Sequence, residues 1–260
     1  MISHTFVVLA YKESKYLENC IKSVINQSVK TNVVIATTTP NSFIDNLSKK
    51  YNIEVINGKH TTIGGDFDFA RNCVDSDLVT IAHQDDIYDY NYAEMVINNY
   101  KRYKDSIIIF SDYYEIRNSK NVYTNLNLKI KRFLLISLRI KKLSGFRFLK
   151  RNTLRFGNAI SCPAVSFVQK NCPKKLFDRE MVCDIDWDAW EKLSNKKGKF
   201  VFINHKLMGH RIDYSTTTTD LINQGIRTKE DFNILKKFWP SFIANIINKL
   251  YRISEKSNNI

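Results

Sequence analysis

The first third of the chain alternates short apolar runs with segments whose apolar residues recur at helical spacing. Residues 5–11, 32–38, 53–57 and 77–83 are short runs rich in Val, Ile and other strand-forming residues. The segments between these runs carry apolar residues on one helical face, so a strand–helix unit repeats at intervals of roughly 25 residues. This alternation predicts βαβ units and therefore an α/β fold, with a mostly parallel central sheet flanked by helices.

The end of the chain has a different pattern. After about residue 220 the periodicity becomes wholly helical, and the helical pattern ends in the stretch FWPSFIANIINKLYRI. We therefore expect one α/β domain over residues 1–218 and a C-terminal helical extension over residues 219–260. A hydrophobic content of 43% supplies a core for a chain of 260 residues.

Three features of the sequence bear on where the protein works. Its apolar runs stay shorter than the ~18 residues that a membrane span needs, and the N-terminus shows no signal-peptide pattern. The five cysteines have no paired CxxC spacing, which favours free thiols in a reducing compartment. We therefore expect a cytoplasmic protein.

The net charge of +14 is concentrated in residues 116–177, which we call the basic segment. It contains fifteen of the 40 Lys and Arg residues and none of the 26 Asp and Glu residues, so the rest of the chain is close to neutral. Its centre, residues 129–151, alternates basic clusters with Phe, Leu and Ile. This pattern suits an anionic membrane surface or a phosphate-bearing partner, and equally a basic helix face that covers the core. No motif for binding nucleic acid accompanies it.

Asp85 and Asp86 directly follow the fourth predicted strand, in the stretch TIAHQDDIYDY. Ligands of open α/β sheets bind beyond the carboxyl ends of the strands, so the pair lies where a site is expected. Two carboxylates can hold Mg²⁺ or Mn²⁺, which in turn binds a diphosphate. A solvated turn is the alternative for such a pair, but the position after the fourth strand favours the metal site.

Three stretches, in matching order and spacing, resemble the family-2 glycosyltransferases of the GT-A fold over about residues 3–218. TFVVLAYKESKYLENCIKSVINQS is similar to the family's first strand, nucleotide-contacting turn and helix. TIAHQDDIYDY falls where the family has its metal-binding strand end, and DIDWDAWEKL resembles its acidic base motif. The resemblance implies a Rossmann-like GT-A domain that transfers a sugar from a nucleotide-sugar donor with inversion, using Mn²⁺ or Mg²⁺.

The sequence departs from the family pattern at three points. His83 stands where the family often has the first carboxylate of the metal-binding strand end, which leaves Asp85 as the principal metal contact. Residues 37–39 offer threonine hydroxyls where the family commonly has an acidic group that contacts base or ribose. Ile185 stands where Glu is usual in the base motif, so the matched acid is Asp186.

The base motif has its own chemical logic. A carboxylate within hydrogen-bond reach of an acceptor hydroxyl can act as general base, and Trp187 and Trp190 beside it can exclude water, raise its pKa and stack on sugar. The alternative role for such an acid is to cap the N-terminus of the helix that follows. We assign the base to Asp186 and the cap to Asp184.

The resemblance also implies which residues hold metal and substrate. Asp85 and His210 are the expected metal ligands, since imidazole nitrogen suits Mn²⁺, and Arg211 can clamp phosphate bidentately. Packing against a strand is the alternative for His210, and a helix-surface salt bridge is the alternative for Arg71. The other expected nucleotide-sugar contacts are Ala10, Tyr11, Glu13, Thr38, Asp66, Arg71, His83 and Asp86.

Relatives with this layout build bacterial surface glycans, so the resemblance implies a glycan or lipid-linked acceptor and a place in polysaccharide synthesis. The basic segment then fits peripheral contact with an anionic membrane at its inner face. Two other classes remain open. A nucleotidyltransferase of GT-A-like fold also uses a metal at strand ends, but usually has a Gly-rich phosphate loop, unlike AYKESKY. A non-catalytic basic membrane-binding module accounts for the basic segment and leaves the acidic stretches unexplained.

Overall fold

The computed structural model describes residues 2–212 and 225–256, which form one mixed nine-stranded sheet with helices on both faces. The strands are β1 (His4–Ala10), β2 (Asn32–Thr37), β3 (Glu54–Asn57), β4 (Leu78–His83), β5 (Ile87–Tyr88), β6 (Ser106–Arg117), β7 (Lys120–Val122), β8 (Val165–Val168) and β9 (Lys199–Ile212). The helices are α1 (Leu17–Ile25), α2 (Ser42–Tyr51), α3 (Ile63–Asn72), α4 (Tyr92–Arg102), α5 (Leu126–Leu134), α6 (Arg147–Asn152), α7 (Ile185–Ser194), α8 (Ile226–Leu235) and α9 (Ser241–Lys256).

The sheet has a parallel half and a mixed half. Its order is β3-β2-β1-β4-β8-β6-β9-β5, and β7 pairs with β6. The first four strands of this order are the four predicted from the sequence, and they run parallel. β8 is antiparallel to both β4 and β6, β9 runs parallel to β6, and β5 is antiparallel to β9. The predicted α/β fold with a mostly parallel central sheet flanked by helices is therefore confirmed.

The two faces of β1 pack into two different cores, which explains its continuous apolar sequence. Phe6 and Val8 belong to a core that includes residues of α1, α2 and α4. Val7 faces the opposite core, which includes Trp187 and Trp190 of α7. A strand that is buried on both faces has no solvent-facing position to carry polar residues, so it reads as an apolar run.

Side-chain caps start two of the helices that follow the parallel strands, α2 and α3. Asn41 accepts the backbone N–H of Ile44 at 3.0 Å at the start of α2, and Thr62 accepts that of Gly65 at 3.1 Å at the start of α3. Such caps satisfy backbone donors that have no partner within the helix. The N-terminus of α3 also packs tightly, because a Cβ added at Gly64 would lie 1.9 Å from the Asp178 carbonyl oxygen.

The C-terminal helices α8 and α9 pack against the sheet domain. Ile234, Leu235 and Ala244 are buried in the same core as the tryptophans of α7. The expected boundary between residues 218 and 219 lies outside the described residues. Among the helices that the structure describes, none combines the length and the apolar character needed to cross a bilayer.

Candidate active site

The carboxyl ends of the parallel strands bring together the segments expected to form the site. Ala10, Thr37 and His83 end β1, β2 and β4, which are hydrogen-bonded neighbours in the sheet. The turn after β1, the threonines after β2 and the acidic pair after β4 are therefore adjacent. This edge holds most of the residues that the sequence predicted as nucleotide and metal contacts.

A group of potential metal ligands, His83, Asp85 and Asp86, lies at the end of β4, and we call it the metal group. One donor atom each from His83, Asp85 and Asp86 can be chosen so that all three lie within 4.8 Å of one another. Burial, with the neighbouring Asp86 carboxylate, raises the pKa of Asp85, while the two nearby histidines act in the opposite direction. A bound cation would offset the cost of holding two carboxylates in this small volume.

The donor set fits Mn²⁺ or Mg²⁺. Hard carboxylate oxygens suit both ions, and an imidazole nitrogen suits Mn²⁺. His83 Nδ1 lies 4.0 Å from an Asp86 oxygen, and the buried Nε2 makes no hydrogen bond to any described residue. Burial lowers the pKa of His83, which favours the neutral imidazole that a metal needs.

The β5–β9 pairing carries His210 to the buried carboxylate of Asp86. Ile87 is the register partner of Gly209, so the residue after Gly209 lies beside the acidic pair. His210 Nδ1 lies 3.1 Å from one Asp86 oxygen and 3.3 Å from the other. Burial alone would lower the pKa of His210, but the Asp86 carboxylate outweighs it and raises the pKa. His210 therefore reaches the metal group through Asp86, beside Asp85.

Arg211 braces the same turn. Its backbone N–H donates to Asp86 at 2.8 Å, and its Nε donates to the carbonyl oxygen of Asp85 at 2.9 Å. Its guanidinium also lies 4.0 Å from the centre of the Tyr16 ring. These contacts hold the acidic pair in place. Among the described residues they do not engage the terminal guanidinium nitrogens, so the phosphate clamp stays a prediction.

Gln84 ties the acidic turn to the turn after β1. Its side-chain amide accepts from the Tyr11 backbone N–H at 3.0 Å and donates to the Tyr11 carbonyl oxygen at 3.1 Å. The next residue, Lys12, has a left-handed φ of 54°, and its N–H donates to the Thr39 hydroxyl at 2.6 Å. Ala10 is buried at the end of β1, whereas the Tyr11 ring and Glu13 face solvent. The turn expected to contact the nucleotide is thus held by hydrogen bonds to Gln84 and Thr39, and the Tyr11 ring on it is exposed.

Asp66 occupies the edge next to this turn. One carboxylate oxygen accepts from the Thr38 hydroxyl at 3.1 Å and lies 2.7 Å from His60 Nδ1. The other oxygen is buried, with no hydrogen-bond partner in the part of the chain that the structure describes. The centre of the His60 ring lies 6.3 Å from that of Tyr11. A carboxylate from α3 therefore lies where the end of β2 supplies only hydroxyls.

Asp186 sits in the first turn of α7 with both oxygens hydrogen-bonded. One accepts from the Asn158 side-chain amide at 2.8 Å and the other from the Trp187 backbone N–H at 2.8 Å. Burial raises the pKa of Asp186, and the Asn158 hydrogen bond partly opposes that rise. A carboxylate with a raised pKa binds a proton more readily, which is what a general base requires.

Asp184 occupies the N-cap position of α7, as expected, but its side chain makes no capping hydrogen bond. Glu230 of α8 instead holds the segment that leads into α7, because its carboxylate accepts the backbone N–H groups of Val182, Cys183 and Asp184 at 2.9, 2.8 and 2.9 Å. Burial and the nearby Asp231 raise the pKa of Asp184 well above its ordinary value. Asp184 thus faces α8, and Asp186 faces Asn158.

The expectation that Arg71 contacts the diphosphate is wrong. Arg71 is 1% exposed, and its guanidinium donates to the Gln169 side chain at 2.8 Å and to the carbonyl oxygens of Pro173 and Lys174. It lies at the C-terminal end of α3, away from the strand edge that holds Asp66 at the helix start. Its charge therefore anchors the segment after β8.

The expectation that the tryptophans of α7 stack on sugar is also wrong. Trp187 and Trp190 are fully buried, and their ring N–H groups donate to the carbonyl oxygens of Leu154 and Ile160 at 3.0 and 3.1 Å. Both rings belong to the core between α7 and the sheet. They fix the helix that carries Asp186, and they contribute to its burial rather than to a sugar-binding surface.

Sequence reasoning missed Lys131, a residue of the basic segment. Its ammonium donates to the Tyr113 hydroxyl at 2.9 Å, and it lowers the proton affinity of both Asp186 and His210. Helical spacing placed it on α5 without indicating that this side of the helix faces the site. Gln84 and Asn158 were missed because their partners are distant in sequence. His60 was missed although Asp66 is only six positions away, because the loop between them has no periodic pattern.

Comparisons with known proteins place this geometry in a family. The family model described as "Glycosyl transferase family 2" matches residues 5–174. The S. aureus TarS structure matches with a TM-score of 0.60 and 12% identity over 95% of this chain and 42% of that chain. A TarS 1–349 structure in complex with UDP-GlcNAc gives a TM-score of 0.62 and 11% identity over 95% of this chain and 70% of that chain.

The TarS structures show the fold of this chain, and the family model shows its family. The chain spans less than half of the longer TarS chain, and at these identities the structural likeness shows the fold alone. The curated proteins searched contain no significant match. The family model covers well over half of the chain, including β1, the metal group after β4 and the basic segment up to residue 174. The chain therefore belongs to glycosyl transferase family 2 and has the GT-A fold.

Proposed function

We propose that this protein is a metal-dependent glycosyltransferase that moves a sugar from a nucleotide-sugar donor to a glycan or lipid-linked acceptor, with inversion, in bacterial surface polysaccharide synthesis. Family membership and the GT-A fold support the reaction class. The UDP-GlcNAc complex of TarS, a structural relative, supports a nucleotide-sugar donor. The metal and the stereochemistry rest on the site residues discussed below, and the acceptor class rests on what the family resemblance implies.

One arrangement supports the proposal: Lys131 donates to the Tyr113 hydroxyl at 2.9 Å, and the Tyr113 ring lies 6.0 Å from that of His210, which contacts Asp86. Lys131 acts electrostatically on both Asp186 and His210, and His210 is bound to Asp86 of the metal group. The Cys162 thiol, whose pKa burial raises, is also influenced by both Asp186 and Asp86. A donor diphosphate at the strand edge would therefore lie within reach of the carboxylate on α7.

The residues divide the chemistry between them. A Mn²⁺ or Mg²⁺ ion held by Asp85, with His83, Asp86 and His210 around it, would stabilise the negative charge on the departing diphosphate. Tyr11, Thr38 and Asp66 would contact the nucleoside at the ends of β1 and β2, with His60 orienting Asp66. Lys131 adds a positive charge between the two halves of the site.

Asp186 would accept the proton of the acceptor hydroxyl as that oxygen attacks the sugar. Its hydrogen bonds from Asn158 and Trp187 hold the carboxylate in one orientation. A base that activates the acceptor directly suits a single displacement, in which the bond to the diphosphate breaks as the bond to the acceptor forms. That course inverts the configuration at the sugar carbon.

A donor screen tests the proposal. Purified protein is incubated with a panel of nucleotide sugars and with Mn²⁺, Mg²⁺ or EDTA, and the release of nucleoside diphosphate is measured. We expect turnover with a subset of donors, loss of turnover with EDTA, and a fall in kcat of roughly 10²-fold or more in Asp186→Asn. Glu180→Gln, an exposed change on the loop before α7, is the matched control. The proposal would be contradicted if every donor gave no turnover and no nucleotide-induced thermal stabilisation.

A further inference from the structure

Helix α5 differs from an ordinary surface helix, because several of its apolar side chains face the solvent. Leu126, Ile130 and Phe133 recur at helical spacing and are 69%, 44% and 70% exposed. Ile136, in the 3₁₀ turn Leu135–Leu138 that follows the helix, and Ile140, two residues beyond that turn, are also exposed. An exposed apolar stripe on a soluble surface is costly in water, so it marks a contact surface.

The basic residues of the same region fall into two groups. Lys131 and Arg132 turn inward, donating to the Tyr113 hydroxyl at 2.9 Å and the Asp112 carboxylate at 2.8 Å. Lys150 is fully buried and donates to two backbone carbonyl oxygens. These residues cover the core, which was one of the two readings of the basic segment. A second group, Lys129, Arg139 and Lys142, is exposed alongside the apolar stripe.

Helix α9 carries a second exposed apolar stripe. Phe242, Ile246 and Leu250, spaced four residues apart, are 69%, 56% and 62% exposed. The ring of Trp239, just before α9, lies 5.4 Å from that of Phe156 in the basic segment. At the other end of the helix, Tyr251 acts electrostatically on Lys131 of α5. Helix α9 therefore packs beside residues 156–157 of the basic segment, where a Cβ added at Gly157 would lie 2.9 Å from the Tyr251 ring.

We propose that these two stripes and the exposed cations of the basic segment form a docking face for an anionic lipid bilayer. The docking face comprises Ile130, Phe133, Ile136 and Ile140 with Phe242 and Ile246. Charge complementarity selects the partner, because the basic segment contains fifteen Lys and Arg residues and no acidic residue. Apolar side chains that insert between headgroups and cations that contact lipid phosphates are the two components of interfacial binding.

The docking face adjoins the active site. Helix α5 presents Phe133 on the outside and Lys131 toward Asp186 and His210 on the inside. In a protein bound through this face, only helix α5 would separate the lipid headgroups from Asp186, the candidate base. The consequence that the acceptor is lipid-linked rests on the proposed function, whereas binding to the bilayer does not.

Vesicle co-sedimentation tests the docking face directly. Wild type should bind vesicles of phosphatidylglycerol and phosphatidylcholine, bind phosphatidylcholine alone far less, and be released by high salt. Replacing Lys129, Arg139 and Lys142 with Gln should weaken partitioning roughly a hundredfold, at about fivefold per charge. Replacing Phe133 and Phe242 with Ser should weaken it by roughly tenfold each, because both rings are about 70% exposed and free to insert.

Matched controls separate the docking face from the rest of the surface. Lys30, Lys49 and Lys101 are exposed cations outside the basic segment, and their Gln variants should bind like wild type apart from a small general charge effect. Trp introduced at Phe133 should be quenched by brominated phosphatidylglycerol vesicles, whereas Trp introduced at Ile25, an exposed residue of α1, should not. Unchanged thermal melting of each variant shows that these surface changes leave the fold intact.

Three outcomes would overturn the inference. They are absence of wild-type binding to anionic vesicles at low salt, equal binding to neutral vesicles, and a dimer in solution that the two Ser substitutions convert to monomer without any lipid binding. The last outcome would assign the face to a second copy of this chain. If wild type binds vesicles but turns over no donor, the result counts against the proposed function alone. If wild type turns over a donor but does not bind vesicles, the result counts against the docking face alone.

Discussion

The hydrogen bond from Asn158 to Asp186 provides a quantitative test of the base assignment. Asp186 must be ionised to accept a proton, so kcat/KM should rise with pH through its pKa, which burial raises. The Asn158 amide, 2.8 Å away, stabilises the ionised form. A hydrogen bond to a charged group contributes about 1.5–3 kcal/mol. Asn158→Leu removes this donor and leaves only the Trp187 N–H, so the proton affinity of Asp186 should rise by roughly tenfold.

The assay is a pH profile of kcat/KM for wild type and Asn158→Leu with the same donor and metal. At pH values below the pKa of Asp186, the kcat/KM of the variant should be roughly tenfold lower than that of wild type. At high pH the two values should agree to within a few-fold, because Asp186 is then fully ionised in both proteins. Asn152→Leu is the matched control, since Asn152 lies on α6 in the same segment and makes no side-chain contact with Asp186. Its profile should coincide with that of wild type.

Two results would refute the reasoning. The first is an unchanged acidic side in Asn158→Leu despite normal folding, which would mean that another group sets the pH dependence. The second is a larger loss of kcat in Asp184→Asn than in Asp186→Asn. Asp184 faces Asp231 in the structure, so such a result would require α7 to rotate before catalysis.

Three further predictions concern the surroundings of the site. Lys131→Met should raise the pKa of Asp186 and move the acidic side of the kcat/KM profile to higher pH, whereas Lys129→Met on the outer side of α5 should not. Glu230→Gln should lower the free energy of unfolding by about 2–4 kcal/mol in chemical denaturation, because three backbone N–H groups lose a carboxylate partner. Asp66→Asn should weaken nucleotide binding roughly tenfold in calorimetry while leaving kcat nearly unchanged, and equal affinity would remove Asp66 from the nucleotide site.

The strands of the parallel half could be predicted from the sequence because their physical signal is local. A strand that is buried on both faces has to be apolar throughout, and β1, β2 and β4 are nearly so. The position of Asp85 and Asp86 followed from the same signal, since the pair directly follows such a run. The family resemblance rested on these local stretches too, and the family match confirms it.

The contacts between distant segments could not be predicted in the same way. Asn158 is 28 positions before Asp186, and Arg71 binds the carbonyl oxygen of Lys174 across 103 positions. Helical spacing indicates which residues share a face of α3 or α5, but it does not say what that face meets. Arg71 was therefore misassigned to the diphosphate, and Lys131 was counted only as part of a basic cluster.

The division of the basic segment shows the same limit. Composition predicted either a membrane contact or a cover for the core, and the structure assigns Lys150 and Arg132 to the cover. Within the same segment, Phe133 faces outward although it is strongly apolar. Composition alone could not separate these two groups, because the separation depends on how α5 and α9 pack.

The affinity for a nucleoside diphosphate with and without Mn²⁺ tests the central claim most directly, namely that the edge formed by His83, Asp85 and Asp86 holds a metal that binds the donor. Calorimetric titration of UDP into wild type and Asp85→Asn provides the four affinities needed. We predict that Mn²⁺ tightens binding in wild type by tenfold or more and has little effect in the variant, which should keep its fold. Equal affinity in all four titrations, with UDP bound in each, would contradict the claim.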